Sequence, residues 1–296
     1  MSDKITIQWL SADGTVRSKV DGEQAAVLRP TEYAPGDRLF FSGARYLWIK
    51  VAEGVKESMV FLPAGGFTYP IPQDEQAVQG FAQGTFAGAQ TVTARRAEAA
   101  EISAYRNLAL NPADRRLAEE VVDPDAPEWS NPTNSEAVAD GLVECFPHAY
   151  ANRVTRNEGC FYARNAIDGL SNKGGHGVYP FHSWGGAVHK DLSLTVYFGR
   201  TVTVDKIILH LRSDYGLNDK GQEHDTYWNV AILEFSDGSE VEIHPEKTGD
   251  PQEFPFPPRE TTFLKFKRMD PVQVETSLNF AALNEIEVWG SDSNSL

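Results

Sequence analysis

Two cysteines in 296 residues are too few to staple a fold. Cys145 and Cys160 also lack the further cysteines or paired histidines of a zinc site. They read as reduced thiols, with a disulfide left open if the chain is exported. No apolar run approaches the roughly 18 residues of a membrane span, and the start, "MSDKITIQWLSADG", has no apolar signal-peptide core. As written, the chain is expected to stay in the cytoplasm; an extracellular place is expected if the sequence is trimmed. Basic residues are outnumbered by acidic ones, 27 to 42, for a net charge of -15. Such a field repels phosphate backbones, so nucleic acid and anionic membranes are excluded as expected partners. Also missing are G-x-S-x-G, HExxH and a phosphate-binding glycine loop. Catalysis is therefore disfavoured without being ruled out. No internal repeat or low-complexity tract occurs.

What the chain has is period-two alternation. Hydrophobic residues make up 41% of it and charged residues 23%, an ordinary globular balance. "KITIQWL" sets Ile5, Ile7 and Trp9 against polar neighbours, and "RLFFSG" and "RYLWIKVA" are rich in β-formers. "YAPGD", Tyr33 to Asp37, places Pro and Gly where a tight hairpin connection needs them. Further on, Leu192, Leu194, Val196 and Phe198 share one strand face, as do Ile207, Leu209 and Leu211. "NVAILEFSDGSEVEIH" reads as a hairpin turning at Ser236-Asp237-Gly238, and "TFLKFK" and "NEIEVWG" supply two more strands. Many short strands with turn-rich breaks predict an all-β chain of two β-sandwich modules, with ligand chemistry in loops at one end.

Composition breaks after Ala94, first to Ala, Arg and Glu, then to the turn-rich "VVDPDAPEWSNPTNSEA". The expected division is an N-terminal module over 1–100, a linker of irregular structure over 101–135 and a second module over 136–296. "NPADRRLAEE" predicts a short helix over Ala113 to Glu120 inside the linker.

The richest segment is "NAIDGLSNKGGHGVYPFHSWG", Asn165 to Gly185. A sugar site needs a flat apolar ring for the C–H face of a pyranose and planar polar groups for adjacent hydroxyls. Tyr179, His182 and Trp184 come from this loop, Arg212, Asp214 and Tyr215 from the end of a strand, and His224, Asp225 and Trp228 from "EHDTYW". The fork of Arg212 suits two neighbouring oxygens. Each residue has a plainer reading: Trp184 and Trp228 as sandwich core, Arg212 as the partner of Asp214 or Asp225, His176 as a turn residue as readily as a ligand. His189, His210 and His244 show no clustered partners.

The motifs "EISAYRNLALNPADR", "FPHAYANRVTRNEGCFYARNAIDG", "HGVYPFHSWG", "DLSLTVYFGR", "VTVDKIILHLRSD", "ILEFSDGS" and "ALNEIEVWG" occur in one order over about residues 101 to 291. In this the second half resembles the discoidin family, also called F5/8 type C or galactose-binding-like domains, and gut-bacterial proteins labelled carbohydrate-binding. The resemblance implies an eight-stranded jelly roll whose end loops grip a sugar, with a structural calcium beside them. Calcium takes six to eight oxygens; the resemblance puts Asp168 and Glu285 among its ligands, with Asn165 three residues earlier. Without it, Asp168-Gly169 reads as a turn and Glu285 as a solvated strand residue. The chain departs from the family where "LSNKGGHGVYPFHS" precedes Trp184 and where "RSDYGLNDKGQEHDTYW" lengthens a rim loop. The expected function is non-catalytic carbohydrate binding. Two alternatives stay open: a subunit, partner of a carbohydrate-active enzyme or enzyme acting on small glycosides, and a protein-interaction module.

Overall fold

The computed structural model describes residues 4–115, 141–172, 174–186, 192–214, 216, 225–271 and 280–293. Among them are fifteen β-strands, one α-helix of five residues and a few 3-10 turns, so the chain is all-β as its alternation predicts.

In the first half the strands are β1 (Ile5–Leu10), β2 (Val16–Gly22), β3 (Ala25–Leu28), β4 (Arg38–Ser42), β5 (Tyr46–Lys50), β6 (Ser58–Phe61), β7 (Gly66–Pro70) and β8 (Val92–Arg96). They form two antiparallel sheets, ordered β2-β1-β4-β7 and β3-β8-β5-β6. Every second side chain points inward. Ile5, Ile7, Leu39, Phe41, Phe67 and Tyr69 from one sheet meet Leu28, Leu47, Ile49, Val60 and Val92 from the other in a single buried cluster. The tight turn at Tyr33 to Asp37 is present, closed by Asp37 N–H on the Ala34 carbonyl at 3.0 Å and by Ala34 N–H on Asp37 Oδ2 at 2.9 Å. It joins β3 to β4, which lie in different sheets, so it crosses between layers where a hairpin was expected.

The second sandwich contains β9 (Arg106–Asn107), β10 (His148–Ala151), β11 (Ser193–Leu211), β12 (Trp228–Phe235), β13 (Glu240–Ile243), β14 (Gln252–Pro271) and β15 (Leu283–Asp292). Two long strands run through both layers. Residues 193–197 of β11 pair with β10 and with 263–267 of β14, whereas residues 202–211 pair with β15 and with 252–261 of β14. The register shifts between Tyr197 and Val202. At that corner Gly199 has φ +68°, and an added Cβ would lie 2.4 Å from the Phe146 ring, so only glycine fits. Leu192, Leu194, Val196, Phe198, Ile207, Leu209 and Leu211 are all buried on the expected faces, and β12 and β13 form the expected hairpin.

The segment expected as irregular linker is built into this sandwich where it is described. After α1 (Ala99–Ser103), β9 adds to the free edge of β15, and Leu108 and Ala109 join the second core. Asn111 N–H donates to the Ile167 carbonyl at 2.7 Å, and buried Asp114 accepts from Ala149 N–H and pairs with His148, both at 2.8 Å. Weak β propensity in "RNLALNPAD" hid these contacts, which are tertiary and not periodic. Ala113 lies in a turn and Asp114 and Arg115 in irregular chain, so the expected helix does not start there; its residues 116–120, and residues 116–135 of the expected linker, lie outside the described residues.

The two halves share a hydrogen-bonded seam. Phe61 and Phe146 exchange both backbone hydrogen bonds, at 2.8 and 2.9 Å. Asp292, its carboxylate almost fully buried, accepts from the Tyr46 hydroxyl at 2.8 Å, from Arg106 at 2.8 Å and from both Nε and Nη2 of Arg200. Burial opposes its ionisation, but the two guanidinium groups outweigh it and hold the carboxyl below its ordinary value of 3.8. Because the folded value is the lower one, this contribution is present above pH 3.8 and is lost as pH falls through the folded value. Asp292→Asn should therefore cost about 3 kcal/mol at pH 7 in chemical unfolding, and should flatten the fall in stability below pH 3.8. Equal stability of the two proteins would show that the clamp carries no energy.

Candidate functional site

The chain between β10 and β11 has little regular structure, and three short 3-10 turns at Thr155–Asn157, Gly159–Phe161 and Ala163–Ala166 give it shape. It is anchored from within. Trp184 exchanges backbone hydrogen bonds with Leu283 at 2.8 and 2.9 Å, and its indole N–H donates to the Arg153 carbonyl at 3.1 Å. Its ring stacks on Trp228 with centroids 5.9 Å apart, and Trp228 meets Phe266 edge-on at 5.7 Å. Both tryptophans are buried, 0% and 1% exposed. The expectation of Trp184 and Trp228 as sugar platforms is therefore corrected: a platform must present a face to solvent, and theirs are spent on the core.

Above this anchor a cleft of about 120 Å³ opens, lined by Arg156, Phe161, His176, Arg212 and Phe280 among others. Arg156 sits in left-handed backbone, φ +50°, followed by Asn157 at φ +52°, a strained pair for residues that are not glycine. Its guanidinium lies 5.3 Å from the Phe161 ring centroid and forks onto Glu158 at 2.6 and 2.7 Å. That hydrogen-bonded pairing holds the Glu158 carboxyl below the usual range. His176 Nδ1 lies 3.0 Å from Asp214 Oδ2, both side chains partly exposed. Gly175 lets the backbone through here, since with φ +149° an added Cβ would come within 2.5 Å of the Phe181 ring.

Arg212 forms a buried ion pair with Asp225: Nε donates at 3.0 and 3.1 Å and Nη2 at 2.7 Å, while Nη2 also donates to the Phe280 carbonyl at 3.0 Å. Asp214 N–H donates to the second Asp225 oxygen at 2.7 Å. Asp225 is 0% exposed, so it positions Arg212 and cannot itself read a hydroxyl as expected. Among the described residues, Nη1 of Arg212 has no hydrogen-bond partner. Two arginines and a histidine thus meet at the cleft, each beside a carboxylate. Arg156, Phe161 and Phe280 were missed because they reach the cleft through a strained turn, a buried ring beside the Arg156 guanidinium and a half-exposed ring, none of which periodicity reports; the two positive φ values follow no glycine signal.

Two expected residues face elsewhere. His182 is buried, with Nε2 2.6 Å from Asp168 Oδ2 and its ring stacked on Tyr179 at 5.7 Å, so it cannot read a hydroxyl. Tyr179 lines a different cleft, at the seam between the two halves. Tyr215 and His224 lie outside the described residues.

The three expected calcium ligands separate. Asn165 is buried and fully used: its side-chain carbonyl accepts from Arg164 at 2.9 Å, and its amide donates to the Gly159 and Ser183 carbonyls at 3.0 and 3.2 Å. It cross-links the loop, which corrects its assignment to the metal. Asp168 and Glu285 do come together in the interior. Asp168 Oδ1 accepts from Leu170 N–H and Glu285 Oε2 from Gly169 N–H, each at 3.0 Å. Glu285 Oε1 is buried with no partner. Burial, and then the neighbouring Asp168 charge, push the Glu285 carboxyl well above the usual range. Among the described residues no cluster of three or more His, Cys, Asp or Glu forms a metal centre. Both cysteines are free thiols; burial pushes Cys160 up to about 11.

No family model matches this chain, and no curated protein matches it. Among solved structures it is similar over about half its length to carbohydrate-binding modules. The family 32 module of Clostridium perfringens NanJ in complex with galactose is 20% identical, with 48% of this chain and 91% of that one covered and a TM-score of 0.35. Chitosan-binding module 1 of the chitosanase/glucanase from Paenibacillus sp. IK-5 is 18% identical, covering 48% and 93% with a TM-score of 0.33. A third, CpGH89CBM32-5 of Clostridium perfringens with GalNAc-β-1,3-galactose, is 19% identical, covering 47% and 92% with a TM-score of 0.34.

The burial of the anchor has a measurable consequence. Trp184→Ala should cost about 3 to 5 kcal/mol, and Arg212→Ala a similar amount because it strands the buried Asp225 charge. His176→Ala, at a partly exposed position, should change stability by less than about 0.5 kcal/mol. Denaturant titrations of the three variants decide; a Trp184→Ala protein as stable as the parent would mean the ring is not core.

Proposed function

We propose that the cleft above Trp184 binds a neutral saccharide without chemical transformation. The observation that carries the reading is the set of three pairs, Arg156 with Glu158, His176 with Asp214 and Arg212 with Asp225, gathered beside the rings of Phe161 and Phe280. A vicinal diol needs donors and acceptors side by side, and each pair offers both. Both arginines are already matched by carboxylates, so a carboxylate-bearing sugar gains little here, whereas a neutral ring loses nothing. Phe280, 36% exposed, has the half-open face that the buried tryptophans lack. Each carboxylate at the cleft is held by a cation, which fits it to orient a ligand better than to carry a proton to a leaving group. The division of the chain belongs to the same reading: the binding unit begins at β9, with residues 4–103 forming the first unit.

A structural calcium is a second part of the proposal. The orphaned Glu285 Oε1 beside Asp168 is the fit: two buried carboxylates that repel one another would be relieved by a divalent cation. Asp168 and Glu285 would hold it, and the ion would supply structural cross-linking and no chemistry. Calcium should raise the melting temperature of chelator-treated protein, as expected for a ligand of the native state, and Glu285→Gln should remove that response. A melting temperature indifferent to both EDTA and calcium would dismiss the ion.

Calorimetric titration against a panel of neutral mono- and disaccharides tests the site. A handful of exposed hydrogen bonds, each netting about 0.5 to 1.5 kcal/mol, predicts a Kd of about a millimolar for a monosaccharide. His176→Ala and Phe280→Ala should each weaken binding about tenfold with the melting temperature unchanged. Binding untouched in both variants would move the ligand elsewhere on the molecule. No binding of any glycan would favour the interaction-module alternative.

A further inference from the structure

The seam between the halves contains a second cleft, unlike the first in charge. The chain from Gln73 to Gly88, between β7 and β8, is fastened to the second sandwich by three hydrogen bonds. Gln76 and Gln79 side-chain oxygens accept from Gly159 and Cys160 N–H at 2.7 and 3.0 Å, and the Gln79 carbonyl accepts from Tyr179 N–H at 2.8 Å. The Arg164 guanidinium lies 4.4 Å from the Phe81 ring centroid, and Phe86 meets Phe81 edge-on at 5.0 Å. Beside these rings runs an open groove of about 780 Å³, walled by Pro72, Val78, Phe81, Phe86, Val178 and Tyr179. Val78 and Val178 stand on its rim 38% and 56% exposed. Fixed backbone and rigid rings make a preformed apolar wall.

The groove narrows into a pocket of about 100 Å³ that shares Phe81 and Tyr179 and ends at Lys56, Arg164 and Asp168. The charged groups here are Lys56, Arg164 and Asp168, with buried Glu285 close enough to feel the Lys56 charge. Asp168 is taken by His182 at 2.6 Å, by Leu170 N–H, and by Arg164 at 3.7 Å. Arg164 spends its remaining nitrogens on the Asp114 and Pro112 carbonyls and on Asn165. Lys56, from the first sandwich, has no hydrogen bond or ion pair among the described residues, and neither does the Tyr179 hydroxyl. The Lys56 ammonium, whose charge also favours ionisation of buried Glu285, and the Tyr179 phenol, both without a hydrogen bond among the described residues, thus line the pocket beside the aromatic groove. Gln73 and Gln83 add primary amides along its open length.

We propose that this seam groove is a second ligand site, specific for a saccharide that carries a carboxylate: the acid group meets Lys56 and the Tyr179 hydroxyl, and the sugar rings lie along Phe81, Phe86 and Tyr179. The Lys56 ammonium, which makes no ion pair among the described residues, distinguishes it from the cleft above Trp184, whose arginines are each matched by a carboxylate. The site needs both halves of the chain, which gives the fixed seam a purpose beyond cohesion. It does not depend on the first cleft binding anything.

Calorimetric titration of the full chain with digalacturonic acid, with its carboxyl-reduced counterpart digalactose, and with benzoate tests the assignment. Digalacturonic acid should bind saturably. Lys56→Gln, an exposed substitution that leaves the melting temperature unchanged, should weaken it tenfold or more, and so should raising the salt from about 50 to 500 mM. His176→Ala should leave it unchanged, and digalactose should be indifferent to Lys56→Gln. Tyr179→Phe, which keeps the ring and removes the hydroxyl, should weaken the acid alone. Equal binding of digalacturonic acid to wild type and Lys56→Gln, its absence from wild type, or its loss in His176→Ala but not in Lys56→Gln would overturn the proposal. So would benzoate binding as tightly as the disaccharide, since that would make the groove a site for any ring acid.

Discussion

The stack of Trp184 on Trp228 is the contact on which the binding end of the molecule depends. A chain of about forty residues between β10 and β11, with few hydrogen bonds of its own kind, would pay a large entropic cost to hold one shape. Sinking Trp184 into the sandwich, with its backbone bridged to Leu283 and its indole to Arg153, ties the loop at a point near its end. The 3-10 turns and the Asn165 cross-links then have a fixed frame. Arg156 and His176 are displayed at solvent because Trp184 is not.

Charge is organised by the same economy of freedom. Basic side chains at the functional end are mostly held before any ligand arrives: Arg212 by Asp225, Arg156 by Glu158, His176 by Asp214. A buried pair such as Arg212 with Asp225 seldom adds net stability, but the pairs fix geometry, and a sugar site profits from groups that do not have to be ordered on binding. Asp292 plays the corresponding part at the seam, where it joins Tyr46 of one sandwich to Arg106 and Arg200 of the other. Lys56, which makes no hydrogen bond or ion pair among the described residues, is the exception and sets the seam cleft apart.

Much of the architecture was legible because alternation writes burial directly into a strand. Leu192 to Phe198 and Ile207 to Leu211 have the inward faces that a period of two assigns them, and Ser236-Asp237-Gly238 turns where glycine and aspartate say it should. The site was legible only in its residue types. Arg212 and Asp225 were placed near each other, yet whether an arginine binds a ligand or a neighbour depends on distances that sequence does not contain. Tyr179 and Trp184 sit five residues apart in one aromatic loop and end in unrelated places, one in the seam and one in the core. Residues 106–114 show the opposite failure: with no periodic signal they read as linker, although tertiary hydrogen bonds make them part of the second sandwich.

The account's central claim is that recognition happens in the cleft above the buried tryptophans. The most direct measurement is a crystal structure with a neutral saccharide from the panel soaked at saturating concentration. The account predicts a pyranose ring against Phe280, with adjacent hydroxyls within hydrogen-bond distance of Arg212 Nη1 and of the His176 ring. A saccharide bound solely elsewhere, with that cleft holding only water, would contradict it.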